Sequence, residues 1–140
     1  NGNIFECIIY TLLYRENIKP FYTQARVTYV PNIVYDAILY NQSQPVSLSL
    51  KTSLRERYKQ DDLEAVALKY VHRRSKCYLL TISPEEAAVA NEKITKGEII
   101  GLDSFIDCTT SQIDKLIADL KNLTFEEAES KPAVTGNIVT

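Results

Sequence analysis

Two apolar runs flanking a short polar turn constrain this chain more than any other feature. Residues 33–40 and 46–51 are strand-like, and Asn41-Gln42-Ser43-Gln44-Pro45 lies between them. Turn formers between two such runs specify an antiparallel hairpin. With the turn centred between Gln42 and Ser43, Asp36 falls directly opposite Ser49. Side chains alternate along a strand, so Ser49 and Lys51 share a face. Opposed residues place their Cβ atoms roughly 5 Å apart, which brings Asp36 to the same place. Val46, Leu48 and Leu50 take the other face, which suits a core. The polar face is then either solvent or a site. Aspartate and lysine are poor strand formers. The ordinary alternative is an exposed cross-strand salt bridge, which stabilises little.

The rest of the chain builds around that hairpin. Residues 3–16 read as a helix ended by Asn17 and Pro20, and residues 23–29 as a strand broken by Pro31. A helix is expected from Leu54 to about Arg74, with Leu54, Tyr58, Ala65, Leu68 and His72 near one face. Residues 77–82 suit a buried strand. Ser83-Pro84-Glu85-Glu86 has the cap, the proline and the acids of a helix start, and that helix runs to about Gly97. Residues 98–102 read as a short strand. Thr110 or Ser111 caps a last helix over 112–123, with Ile113, Leu116, Ile117 and Leu120 as its stripe. The expectation is one α/β domain over 1–125, a mixed sheet flanked by helices, with a polar tail over 126–140.

Composition narrows the function classes. The chain has 140 residues and is 45% hydrophobic, enough for a core. No apolar run approaches the roughly 20 residues of a membrane span, so no membrane partner is expected. Residues 4–13 are apolar, but Glu6 interrupts them and no basic leader precedes them, so they make a poor signal peptide. Cys7, Cys77 and Cys108 are odd in number and far apart, and His72 is the one histidine. These counts argue against a zinc site, and any Ser-His-Asp mechanism would have to use His72. They favour a reducing compartment, the cytoplasm. Asn41-Gln42-Ser43 and Asn122-Leu123-Thr124 match the glycosylation pattern by chance on this reading. Net charge is −2. Residues 51–76 nonetheless hold Lys51, Arg55, Arg57, Lys59, Lys69, Arg73, Arg74 and Lys76 against Glu56, Asp61, Asp62 and Glu64. That local excess is either a modest footprint for a polyanion or a solvated helix face.

Ser49-Leu50-Lys51, twelve residues and then Glu64 resembles the S-x-K-x12-E variant of the PD-(D/E)XK nuclease signature. Residues 51–60, Lys-Thr-Ser-Leu-Arg-Glu-Arg-Tyr-Lys-Gln, are similar to the type II restriction endonucleases that cut CCGG and CC-N-GG sites. Gly2 and Glu6 resemble that family's N-terminal G-x-x-x-E pattern. Tyr35 stands where a proline commonly precedes the first acid. The resemblance covers roughly residues 2–82, and the chain's size is more like that of small intron-encoded homing endonucleases of the same fold.

The resemblance implies a restriction-endonuclease-like core, αβββαβ with C-terminal elements, in a bacterial or archaeal cytoplasm. It implies Mg²⁺ held by Asp36, Glu64 and the Leu50 carbonyl, with Ser49 as an auxiliary ligand and Glu6 at a second metal or a metal-bound water. Lys51 would orient the attacking water and stabilise charge on the phosphate. Arg55 and Arg57 would read guanines in double-stranded DNA, with Glu56 accepting from cytosine or holding the arginines. Lys59, Arg73, Arg74 and Lys76 would contact phosphates. Phosphate contact or solvent is the plainer reading of both arginines. Tyr10, Tyr14 and Tyr58 read as core and His72 as structural. The expected activity is site-specific double-strand cleavage by a homodimer or homotetramer, in a restriction or a homing role. The alternative is a non-catalytic DNA-binding module on a degenerate nuclease fold.

Overall fold

Helix α1 (Gly2–Arg15) stops at Asn17, which takes φ 60° while the Ile18 amide bonds back to the Leu13 carbonyl. The chain then runs through β1 (Phe21–Val27), β2 (Val30–Leu39) and β3 (Val46–Leu50). Next come α2 (Lys59–Val71), β4 (Lys76–Thr81), α3 (Pro84–Thr95), β5 (Ser104–Asp107), α4 (Gln112–Lys121) and β6 (Val134–Val139). This computed structural model describes residues 2–55, 57–128 and 134–140.

The strands form one sheet in the order β5-β4-β3-β2-β1-β6. β3, β4 and β5 are parallel; β1, β2 and β6 join antiparallel. Both crossover helices, α2 and α3, cover one face, where Leu68, Ala65, Ala87 and Ala90 pack with Tyr35, Ile38, Leu79 and Phe105. Two crossovers of the same hand advancing in one direction require that. On the other face, α1 and α4 pack Phe5, Ile9, Leu13, Leu116, Ile117 and Leu120 on Leu39, Leu48, Leu50 and Leu80. The result is a three-layer α/β/α domain.

The hairpin register agrees with the sequence: Ala37 pairs with Leu48 and Leu39 with Val46. Asn41 closes the turn through its side chain, accepting the Ser43 and Gln44 amides at 2.8 and 3.1 Å.

Several expectations are corrected. The turn between β1 and β2 is Thr28-Tyr29, with Tyr29 at φ 71°, and Pro31 lies within β2. The central helix begins at Lys59, because Ser53, Leu54 and Arg55 are held outside it by Glu86 of α3. Residues 98–102 form a loop and the strand follows at Ser104, because Asp62 takes the Ile100, Gly101 and Leu102 amides. The polar tail contains β6, an edge strand paired with β1 and anchored by buried Val134. Beyond Val134 its next four residues are exposed, as an edge strand allows, so it carries no alternating apolar signal.

Candidate active site

β2 and β3 pair only as far as Ala37 and Leu48. Beyond that pair the Asp36 side chain replaces the ladder: its Oδ2 accepts the Leu50 amide at 2.8 Å. On the far side of β3, the Lys51 amide continues the pairing with the Leu80 carbonyl at 3.0 Å. Lys51 therefore leaves the sheet at the carboxyl end of a central parallel strand, where α/β sheets characteristically place their sites. Its Nζ lies 2.7 Å from Asp61 Oδ2 and donates to the Arg57 carbonyl at 3.0 Å.

α2 brings the acids. Asp61 and Glu64 are one turn apart and so share a helix face. Tyr35 fixes that helix against β2, donating its hydroxyl to the Glu64 backbone carbonyl at 2.8 Å. The residue in place of the proline thus locks the two acid-bearing elements together. On the α1 side, the Tyr10 hydroxyl donates to the Asp36 carbonyl at 2.7 Å.

The carboxylates sense one another. Burial raises the Asp36 carboxyl above its ordinary value; the Leu50 amide opposes that shift, Glu6 and Asp61 add to it, and Lys51 opposes it. Burial likewise raises Glu64; the hydrogen bond from Gln60, 3.3 Å from Glu64 Oε2, opposes this and Asp61 and Asp36 reinforce it. Asp36, Asp61, Glu64, Glu6 and Lys51 thus form one electrostatic cluster. Asp61 is the member the sequence reading missed. Its position three residues before Glu64 was the available signal.

These shifts fix the sign of a pH effect. A carboxyl raised in the folded state binds its proton more tightly there than in the unfolded chain. Its stabilising contribution is present at low pH and is lost as pH rises through the folded value. Ionised Asp36 therefore costs stability at neutral pH. Asp36→Asn keeps an acceptor for the Leu50 amide and removes the charge. Its melting temperature at pH 7 should exceed wild type by a few degrees. The gap should close as pH falls through the carboxylate range; a gap that widens would contradict the cluster.

The fate of the other expected residues is mixed. Ser49 is buried in β3, and Ser47 with it, so the polar face of that strand is covered and not solvent. Glu6 is half-buried on α1. Arg55 and Arg57 are exposed between β3 and α2, with Arg55 at φ 45°. Glu56 lies outside the described residues. Lys59 is exposed at the start of α2. Lys76 pairs with Val46, at the far end of β3 from Lys51, roughly 15 Å along the strand. Arg73 and Arg74 precede it there, so these three do not join the Lys51 end. Tyr58 is buried as expected and Tyr10 is half-buried, but Tyr14 is half exposed. The His72 amide closes α2 on the Leu68 carbonyl, and burial lowers its imidazole pKa, in line with a structural role.

Glu86, the second group missed, shapes the arginine loop. It accepts the Ser53 hydroxyl at 3.0 Å, the Leu54 amide at 3.2 Å and the Arg55 amide at 2.6 Å. Desolvation acts to raise its carboxyl, yet hydrogen bonds from Arg55, Ser83, Ser53 and Leu54 hold it below the ordinary range. Glu86→Ala should free the loop. Trypsin should then cut after Arg55 or Arg57 about tenfold faster than in wild type, the loop losing roughly 1.4 kcal/mol of local stability. An unchanged cleavage rate would mean that Glu86 does not hold it.

No family model matches the chain, and no curated protein or solved structure matches it. Among the described residues no helix is long and apolar enough to cross a membrane.

Proposed function

We propose that the chain is a Mg²⁺-dependent, site-specific double-strand DNA endonuclease on a restriction-endonuclease-like core. One observation carries this reading: where β2 and β3 part, Asp36 takes the Leu50 amide, Lys51 leaves β3 beside Asp61, and Glu64 is near enough to feel the charges of Asp36, Asp61 and Lys51, in a chain whose elements begin αβββαβ. The donor set suits a hard cation, being carboxylate oxygens beside a backbone carbonyl. Carboxyls of Asp36 and Glu64 that burial and one another's charge raise fit a place that attracts positive charge. Asp36, Glu64 and the Leu50 carbonyl would hold the ion. Bound there, Mg²⁺ supplies Lewis-acid stabilisation of the phosphate and activates water. Lys51 contributes a fixed positive charge for the phosphate oxygens and a donor to orient the attacking water. Arg55 and Arg57, on a loop pinned by Glu86, face outward to meet a duplex. One such site cuts one strand, so a double-strand break calls for a homodimer or homotetramer. Both the restriction and the homing role share this chemistry.

A second reading, a DNA-binding module on a degenerate nuclease fold, is favoured by a specific observation. Among the described residues no three acid, histidine or cysteine side chains converge closely enough to enclose an ion. Incubation of the chain with long duplex DNA, in Mg²⁺ and in EDTA, separates the two. Discrete fragments in Mg²⁺ alone support the endonuclease, and their frequency distinguishes a short restriction site from a long homing site. Binding without cleavage supports the module.

A further inference from the structure

Resting on the endonuclease reading, we infer that Asp61 is the positioning residue for Lys51. The Lys51 ammonium ends a flexible four-carbon stem, and a group of that kind acts on a phosphate only if something fixes it. Two contacts fix it here. One is the ion contact of 2.7 Å with Asp61, and the other is its hydrogen bond of 3.0 Å to the Arg57 carbonyl. Asp61 is itself well placed to act as an anchor. It is 8% exposed, and it sits in the first turn of a helix that Tyr35 bolts to β2. Its Oδ2 is buried, and the ammonium 2.7 Å away is the cation it faces. With the Arg57 carbonyl as the second partner, this holds the ammonium in place and leaves one of its three N–H donors for a substrate. Glu64, the acid matched by the signature, points its hydrogen bond elsewhere, to Gln60. The two acids of one helix face thus divide the work: Glu64 is left for a cation, and Asp61 serves the lysine.

The Arg57 contact adds a consequence. The same carbonyl belongs to the segment that carries Arg57, so the lysine's second anchor lies on the proposed DNA-facing side. Asp61, on α2, is the anchor that does not belong to that segment.

The test is a double-mutant cycle on DNA cleavage with Asp61→Asn, Lys51→Ala and the pair, each at saturating and limiting Mg²⁺. Asp61→Asn should lower kcat about 100-fold, with KM for DNA and the half-saturating Mg²⁺ concentration unchanged. In the Lys51→Ala background the same change should have almost no further effect, because the group it positions is gone. Fully additive losses would overturn the inference, and so would a rise in the Mg²⁺ requirement, which would make Asp61 a metal ligand. A second measurement does not depend on a variant folding. In wild type with ¹⁵N-labelled lysine, the Lys51 ammonium should show hindered proton exchange, and a freely exchanging signal would overturn the anchor. A wild-type protein that binds DNA but never cuts it sinks the endonuclease reading first, and this inference with it. Cleavage by wild type with an additive cycle sinks the inference alone.

Discussion

Lys51→Ala is expected to lower DNA cleavage by about 10³-fold or more while leaving the fold and DNA binding nearly intact. The loss follows from what the ammonium can do at this position. Removing one fixed charge-stabilising group from a preorganised site costs roughly 10²–10³ in rate, and loss of a water-orienting donor adds to that. The chain should still fold because the Lys51 side chain is 30% exposed, but at a cost in stability because its partner Asp61 is buried. Removing the lysine also leaves Asp61 buried beside Asp36 and Glu64 with less positive charge nearby. Added Mg²⁺ should therefore raise the melting temperature of the variant at least as much as that of wild type. At ten times Kd, a single bound ion contributes about 1.4 kcal/mol. Cleavage by Lys51→Ala within tenfold of wild type would remove the lysine from the mechanism.

Much of this arrangement was legible in the residues, for identifiable reasons. The β2–β3 register followed from turn chemistry and alternation, both local, and it set Asp36 beside the carboxyl end of β3. The start of α3 followed from Ser83-Pro84-Glu85-Glu86, although the Ser83 hydroxyl caps no amide and turns to Glu86 instead. Two of the misses share one cause, side-chain carboxylates that capture backbone amides across long stretches of chain. Glu86 takes amides more than thirty residues earlier and so delays α2 to Lys59. Asp62 takes amides nearly forty residues later and turns an expected strand into a loop. Neither effect has a local signature, because the donors are ordinary backbone groups. β6 was hidden for a related reason. Its pattern is half polar, and only its pairing with β1 makes it a strand. The candidate site followed the same division: Asp36 and Lys51 came from the hairpin register and Glu64 from the resemblance, whereas the Asp61 contact with Lys51 is between elements and needed the fold.

That second carboxylate leads to the largest expected loss of stability, at Gly101. The loop before β5 docks on α2 through Asp62, whose Oδ1 accepts the Gly101 and Leu102 amides at 2.7 and 2.9 Å. Lys69 adds a bond of 2.5 Å to the Gly101 carbonyl and an ion pair of 2.9 Å to Asp103. The approach is close enough that a Cβ on Gly101 would collide with the Asp62 carbonyl oxygen and lie 2.7 Å from the Val66 nitrogen. Both are backbone atoms of a helix, which cannot turn aside as a side chain could. Gly101→Ala must therefore push the loop off α2 or shift α2 itself, straining bonds from Asp62 and Lys69 together. Buried overpacking costs about 1–3 kcal/mol, and impaired amide hydrogen bonds add to it, so a loss of about 3 kcal/mol is expected. In a urea titration the midpoint should fall with little change in slope. The helix that would move also carries Asp61 and Glu64. Cleavage measured where Gly101→Ala is still folded should therefore drop as well, although Gly101 lies on the α2 docking surface and contributes no group to the chemistry. An unchanged urea midpoint would show that the loop does not pack on α2 as closely as this geometry requires.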